Sequence, residues 1–178
     1  MLKKIKVSQD LSRFLEADYS IHIGSCIEHQ KVELKEIHES YGGFPDTISE
    51  KNTSIRQLWY DQTQIDYETL GKNLGLEVIT VSSILQPPGN IIPIHRDTFF
   101  QINKRYPNDR RLKVRANIFL NDWKEGQFIH YEIDKKWYSE THWTAGEGFL
   151  WDHKHLHLSG NAGFNDKYTL QVSGFLYE

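Results

Sequence analysis

The sequence predicts a mainly β chain with flanking helices, folded as a jelly roll or sandwich. Two observations carry that expectation. From Gly75 to the C-terminus, short β-branched or alternating stretches recur with turn residues at even spacing. Residues 1–74 lack this texture and hold a stretch, from Ser54 to about Asn73, that reads largely as helix. At 178 residues the chain suits a single domain, 1–178. Residues 1–74 are expected to form an N-terminal extension whose helix packs on the sheet, and 75–178 the jelly-roll core.

Composition narrows the class. Hydrophobic residues make up 38% and aromatics 13%, which argues for a packed core and against disorder. A net charge of −3 and a pI near 6.3 give no bulk drive toward nucleic acid or an acidic membrane. The one cysteine, Cys26, excludes an intrachain disulfide and fits a reducing compartment. The basic start, Met1 to Lys6, runs into Ser8-Gln9-Asp10, which is no secretory signal. No stretch approaches the roughly 20 apolar residues of a membrane span. A soluble, cytoplasmic chain is the expectation.

In chain order, residues 5–14 lead in as strand or helix, and Tyr19 to Ile23 alternates like a strand. Val32 to Ile37 fits either state, and Tyr41-Gly42-Gly43-Phe44-Pro45 is a turn. Ile55, Leu58, Trp59, Ile65, Tyr67 and Leu70 supply the apolar face of the expected helix, with Gly71 or Gly75 to end it. Val78 to Leu85 is a β-branched strand that stops at Pro87-Pro88-Gly89, and Ile91 to Asp97 is a second. Residues 98–111 are polar and charged and read as a mobile loop or lid. Leu112–Leu120, 126–133, 136–138, 148–151 and 167–176 complete the strands.

His95 and Asp97 stand two positions apart, on one face of an extended backbone. Alone, such a pair is most often a surface histidine beside a capping aspartate. The run Asp152-His153-Lys154-His155-Leu156-His157 changes the balance, because it can supply a third ligand. His157, next to the small residues Ser159 and Gly160, is the preferred ligand, and His155 is second choice. His153 is read as a surface residue or one behind the ligands, and Asp152 and Asn161 as acceptors that orient an imidazole. Two imidazoles, one carboxylate and open positions form the ligand set of a non-haem Fe(II) oxygenase; the absence of thiolate favours Fe(II) over Zn(II).

Such a site needs an electron source to activate dioxygen, and a 2-oxo acid can chelate the ion. Its far carboxylate then needs a cation. Lys167 and Thr169 share one face of the last strand and offer an ammonium and a hydroxyl. Arg115 and Asn117 are alternative or additional donors, on the face opposite Val114, Ala116, Ile118 and Leu120. Phe99, Phe100 and Tyr106, with Arg105, Arg110 and Arg111, are candidates for contact with the prime substrate.

Together these stretches resemble the 2-oxoglutarate and Fe(II)-dependent dioxygenase superfamily. The family's H-x-D…H motif matches His95, Asp97 and His157, its basic residue about ten positions further on matches Lys167, and Thr169 matches the Ser or Thr that often follows two positions later. Gly148 to Asn161 also resembles the metal-bearing strands of the aspartyl/asparaginyl-hydroxylase-like and phytanoyl-hydroxylase-like branches, and Lys167 to Gly174 resembles small bacterial and phage members. The resemblance spans roughly residues 75–178. It implies a double-stranded β-helix (jelly-roll, cupin-like), Fe(II), 2-oxoglutarate as co-substrate, dioxygen, and hydroxylation of a C–H bond with release of succinate and CO2. The family's usual Arg is Lys167 here, a point charge in place of a bidentate fork. The prime substrate is not legible. A cupin-like metal enzyme that dispenses with 2-oxoglutarate and a non-enzymatic jelly-roll binding module stand as rivals.

Overall fold

In the computed structural model of the chain, which describes residues 1–21, 32–43 and 55–177, the strands form two antiparallel sheets. Among the described residues these are β1 Leu2–Lys6, β2 Arg56–Tyr60, β3 Leu76–Gln86, β4 Asn90–His95, β5 Lys113–Phe119, β6 Gln127–Ile133, β7 Lys136–Glu140, β8 Glu147–Asp152, β9 His157–Asn161 and β10 Lys167–Leu176. The larger sheet has the order β1-β8-β5-β10-β3-β2 and the smaller β4-β9-β6-β7. From β3 to β10 every connection but the β6–β7 hairpin crosses between sheets. That winding is a double-stranded β-helix, a jelly roll.

Side-chain alternation decides what each face meets. Val114, Ala116 and Ile118 of β5, with Leu170 and Val172 of β10, pack outward against Val7, Leu11, Phe14, Ile65 and Leu70. Each fully buried aliphatic side chain there contributes roughly 1.5–3 kcal/mol. The opposite face turns toward the smaller sheet: Phe119 of β5 and Phe149 and Trp151 of β8 cluster with Ile129 and Tyr131 of β6. On that inner face Arg115 pairs across the strands with Ser173 and Trp151, and Asn117 with Gln171 and Phe149. Arg115, Asn117 and Phe119 therefore look into the barrel, as their alternation implies.

The N-terminal residues do more than cover the sheet. β1 pairs with β8 and β2 pairs with β3, so both extend the larger sheet at its edges. The helix expected from Ser54 to Asn73 is corrected accordingly. Ser54 lies outside the described residues, Arg56–Tyr60 is β2, and only Tyr67–Leu74 is helical (α2; α1 is Lys35–Ser40, α3 Phe100–Arg105). The spacing of Ile55, Leu58 and Trp59 suits a helix, but the free edge of β3 offers a ladder, Arg56 opposite Leu85 through Tyr60 opposite Val81. Tertiary pairing overrides the local period. α2 starts where Asp66 accepts the Thr69 N–H at 3.0 Å and ends at Gly75, whose φ of 72° is left-handed. Asp66→Ala is expected to cost about 1 kcal/mol in urea denaturation, with no effect on the barrel interior.

Three further expectations change. Tyr19–Ile21 is a short 3-10 turn rather than a strand; Ile23, Cys26, Phe44 and Pro45 lie outside the described residues. The ambiguous stretch from Val32 ends in α1. Residues 98–111 are not one open loop: α3 is seated by Phe99 and Ile102, both buried against Ile79 and Phe175. No described helix is long and apolar enough to cross a membrane.

Candidate metal centre

His95 closes β4 and His157 opens β9, and the two are direct partners in the ladder between those strands. Their ring centroids lie 4.1 Å apart. Asp97 follows β4 by two residues, in the loop leading to α3, and is 4% exposed. One ligand atom from each of His95, Asp97 and His157 lies within 4.8 Å of the other two.

The tautomers follow from the hydrogen bonds. His95 Nδ1–H donates to the Pro93 carbonyl at 2.8 Å, and His157 Nδ1–H to the His155 carbonyl at 3.1 Å. A carbonyl only accepts, so each Nδ1 carries the proton and each Nε2 keeps a free lone pair. Burial lowers the His95 pKa, and burial together with neighbouring His95 pushes His157 down to about 3. Both rings are neutral near pH 7, the state that binds metal. Asp97 is charged. Burial alone would raise its pKa, but the Arg115 guanidinium above all, with the Trp151 N–H, outweighs it and holds the carboxyl below the usual range.

These bonds correct the expected supporting residues. The acceptors that orient the rings are backbone carbonyls, not Asp152 or Asn161. Asp152 instead accepts the Lys154 N–H at 2.9 Å in the turn between β8 and β9, and Asn161 Nδ2 donates to the carbonyls of Gln86 and Asn165. That turn also separates the three histidines that an unbroken strand would have aligned. His153 is exposed, and His155 Nδ1–H donates to the Glu132 carbonyl at 3.3 Å. His157 thus starts a strand where the sequence suggested an end. Gly160 then lets β9 pass the Phe128 ring, where a Cβ would sit 2.1 Å from a ring carbon.

A cavity of about 260 Å³ opens beside the triad, bounded by Gln57 and Trp59 of β2, Thr80 of β3, Arg115 of β5 and Gln171 and Ser173 of β10. Phe100, 53% exposed, stands at its mouth, while Phe99 is buried at a left-handed φ of 52°. Tyr106 packs edge-on against Phe175. Two of the arginines singled out in the sequence serve the scaffold: Arg105 donates to the Ile79 carbonyl, and Arg111 pairs with Asp109 and Glu77.

Lys167 lies on the same inner face, 2% exposed. Its Nζ donates to the Phe128 carbonyl at 3.0 Å, to Ser159 Oγ, and to Gln86 Oε1 at 3.5 Å, and sits 5.6 Å from the Trp143 ring centre. All these acceptors are neutral, and burial pushes the ammonium down to about 7. Between Lys167 and the triad, the side chains of Thr169, Asn117 and Gln171 make no hydrogen bond to any described residue, although Asn117 is only 5% exposed.

The sequence alone assigns Trp151, Ser173 and Gln86 no part in the site, and Ser159 only that of a small residue beside His157. Their parts in the site depend on cross-strand register, which alternation along a single strand does not encode.

No family model matches the chain, and no curated protein matches it in sequence. Solved structures do. A Pseudomonas putida prolyl-4-hydroxylase aligns over 99% of this chain and 92% of its own, at 19% identity and a TM-score of 0.55. The non-haem α-ketoglutarate-dependent carbocyclase SnoK of nogalamycin biosynthesis aligns over 98% and 79%, at 10% identity and a TM-score of 0.56. The epimerase SnoN of the same biosynthesis aligns over 98% and 77%, at 11% identity and 0.56.

Proposed function

With the fold these oxygenases and related enzymes share as the premise, we propose that the chain is an Fe(II)- and 2-oxoglutarate-dependent oxygenase that hydroxylates a C–H bond. The observation that carries the reading is the meeting of His95, Asp97 and His157 in the barrel, with neutral imidazoles and free Nε2 lone pairs. The donor set fits a ferrous ion: two nitrogens, one carboxylate oxygen, no sulfur, and a cavity on the open side. A ferrous ion bound there with a 2-oxo acid supplies oxidative decarboxylation coupled to dioxygen cleavage.

The protein's own part is binding and exclusion of water. Lys167 is a buried cation that no carboxylate faces among the described residues, an arrangement that favours an anionic ligand. Ser159, which its ammonium touches, is one same-face step from His157, about 6.8 Å along the strand. A five-carbon keto diacid, about 5 Å between its carboxyl carbons, suits that interval. Asn117, Thr169 and Gln171 would supply hydrogen bonds along it, with Arg115 nearer the triad. The apolar wall of Phe119, Ile129, Tyr131 and Phe149 would help to exclude water from the site.

A metal enzyme that does not use 2-oxoglutarate is the second reading, favoured by the three protein oxygens that Lys167 already holds. Succinate and CO2 formed from 2-oxoglutarate, dependent on Fe(II) and dioxygen, would support the oxygenase. Metal binding without any 2-oxoglutarate turnover, with or without candidate substrates, would favour the second.

Lys167 makes the proposal pH-sensitive. Between its folded pKa of about 7 and the unfolded value of 10.5, the unfolded chain binds more protons. The stability of the ligand-free protein should therefore rise with pH across that window. A bound dicarboxylate favours the charged ammonium, so binding takes up a proton above pH 7 and affinity falls, by up to about tenfold per pH unit. Calorimetry in buffers of different ionisation enthalpy measures that uptake; Lys167→Met should remove it.

A further inference from the structure

The Lys167 side chain ends in a polar cluster whose hydrogen-bond directions can all be assigned. Gln86 closes β3 as the register partner of Lys167 on β10, and both side chains are buried. Gln86 Nε2 donates to the carbonyls of Asn90, at 2.9 Å, and of Ser159, at 3.2 Å. A carbonyl only accepts, so the amide has one orientation, with Oε1 on the side of Ser159 Oγ and Lys167 Nζ. Oε1 also only accepts, so it takes the single hydroxyl proton of Ser159, at 2.9 Å. Ser159 Oγ then meets Lys167 with lone pairs alone. The Phe128 carbonyl is the third acceptor, at 3.0 Å.

Three acceptors and no donor surround Nζ. An ammonium meets them with three N–H groups. A neutral amine has two, and its lone pair would be left against an oxygen. The cluster therefore favours the charged form, in opposition to the burial that lowers the Lys167 pKa. We infer that Gln86 is a positioning residue: through the Ser159 hydroxyl it keeps Lys167 an ammonium and holds it at one point of the barrel. Of the three contacts, that to Gln86 Oε1 is the longest, at 3.5 Å, and is the one a ligand carboxylate replaces most readily. The replacement rests on the oxygenase reading; the control of the Lys167 charge by Gln86 does not. Among the described residues no other charge sets that state. His130 and Glu132 of β6 alternate with inward-facing Ile129 and Tyr131, Arg115 of β5 pairs with Asp97, and the ring of His157 of β9 lies against that of His95.

Lysine labelled with carbon-13 at Cε reports the charge of each side chain by NMR, in the full chain without metal or keto acid. The Lys167 signal is the one missing from Lys167→Met. Gln86→Met keeps the shape, removes the amide and frees the Ser159 hydroxyl to donate to a neutral amine. The Lys167 midpoint is expected to fall by about one pH unit. Ser159→Ala removes the intermediary and should lower it likewise. Gln86→Glu sets a carboxylate against Nζ and should raise it. Opposite shifts from two side chains of similar size are not expected of a residue that serves stability alone. In Mn(II)-loaded protein under argon, calorimetry at pH 8 should show 2-oxoglutarate bound about tenfold more weakly by Gln86→Met. Should the Gln86 variants fail to fold by circular dichroism, Ser159→Ala decides. A lowered melting temperature with an unmoved Lys167 midpoint in the folded variants would overturn the inference and leave the oxygenase reading standing. The expected midpoint shifts in a chain that binds no 2-oxoglutarate would support the role of Gln86 and overturn the oxygenase reading.

Discussion

Asp97→Ala is expected to lower Fe(II) or Co(II) affinity by more than about 100-fold, because it removes the one charged donor of the triad. His95→Ala and His157→Ala should do the same by deleting an Nε2. His153→Ala should leave affinity unchanged, since that residue is exposed in the turn after β8. Asp97→Ala has a second consequence. It strands the Trp151 indole N–H and the Arg115 guanidinium, at about 1–3 kcal/mol for a buried donor left unmet. Asp97→Asn separates the effects: it keeps an acceptor for Trp151 and removes the charge. Metal titration by calorimetry, beside thermal unfolding of the same proteins, reads both. Full retention of metal by Asp97→Ala would count against the ligand assignment.

Lys167→Ala is expected to raise the 2-oxoglutarate concentration for half-saturation roughly 10- to 100-fold, equivalent to losing a charge-assisted hydrogen bond of about 1.5–3 kcal/mol. Metal affinity should not change, since Lys167 touches Ser159, Gln86 and the Phe128 carbonyl but no member of the triad. Lys167→Met, which fills more of the vacated space, separates lost charge from lost packing. An unchanged requirement in both variants would move the carboxylate-binding role to Arg115, whose guanidinium borders the cavity.

The parts of the fold legible in the sequence were those with a strong local pattern. The alternation of Val114, Ala116 and Ile118 against Arg115 and Asn117 gave both faces of β5, and the turn Pro87-Pro88-Gly89 gave the end of β3. The spacing of His95 and Asp97 picked out the pair, although the expected strand stops at His95 and Asp97 reaches the site from the loop beyond it. What failed depended on partners elsewhere in the chain. β2 is a strand because β3 has a free edge, and α3 is ordered because Phe99 and Ile102 find Ile79 and Phe175. The histidines at 153, 155 and 157 would share one face of an extended chain, and only the small residues after His157 ranked it first; the turn that Asp152 closes is what sets His157 opposite His95. Trp151 lies fully in the core, and its N–H meets Asp97 through a cross-strand placement beside Arg115 that no single stretch of sequence encodes.

The central claim is that three side chains distant in sequence share one ion. Anomalous diffraction from crystals grown with Mn(II) and an unreactive 2-oxo-diacid analogue tests it directly. The account predicts a single manganese peak contacted by Nε2 of His95, Nε2 of His157 and one oxygen of Asp97, with the far carboxylate of the analogue beside Lys167. A peak bounded by other residues, or no peak in the barrel at saturating metal, would contradict it.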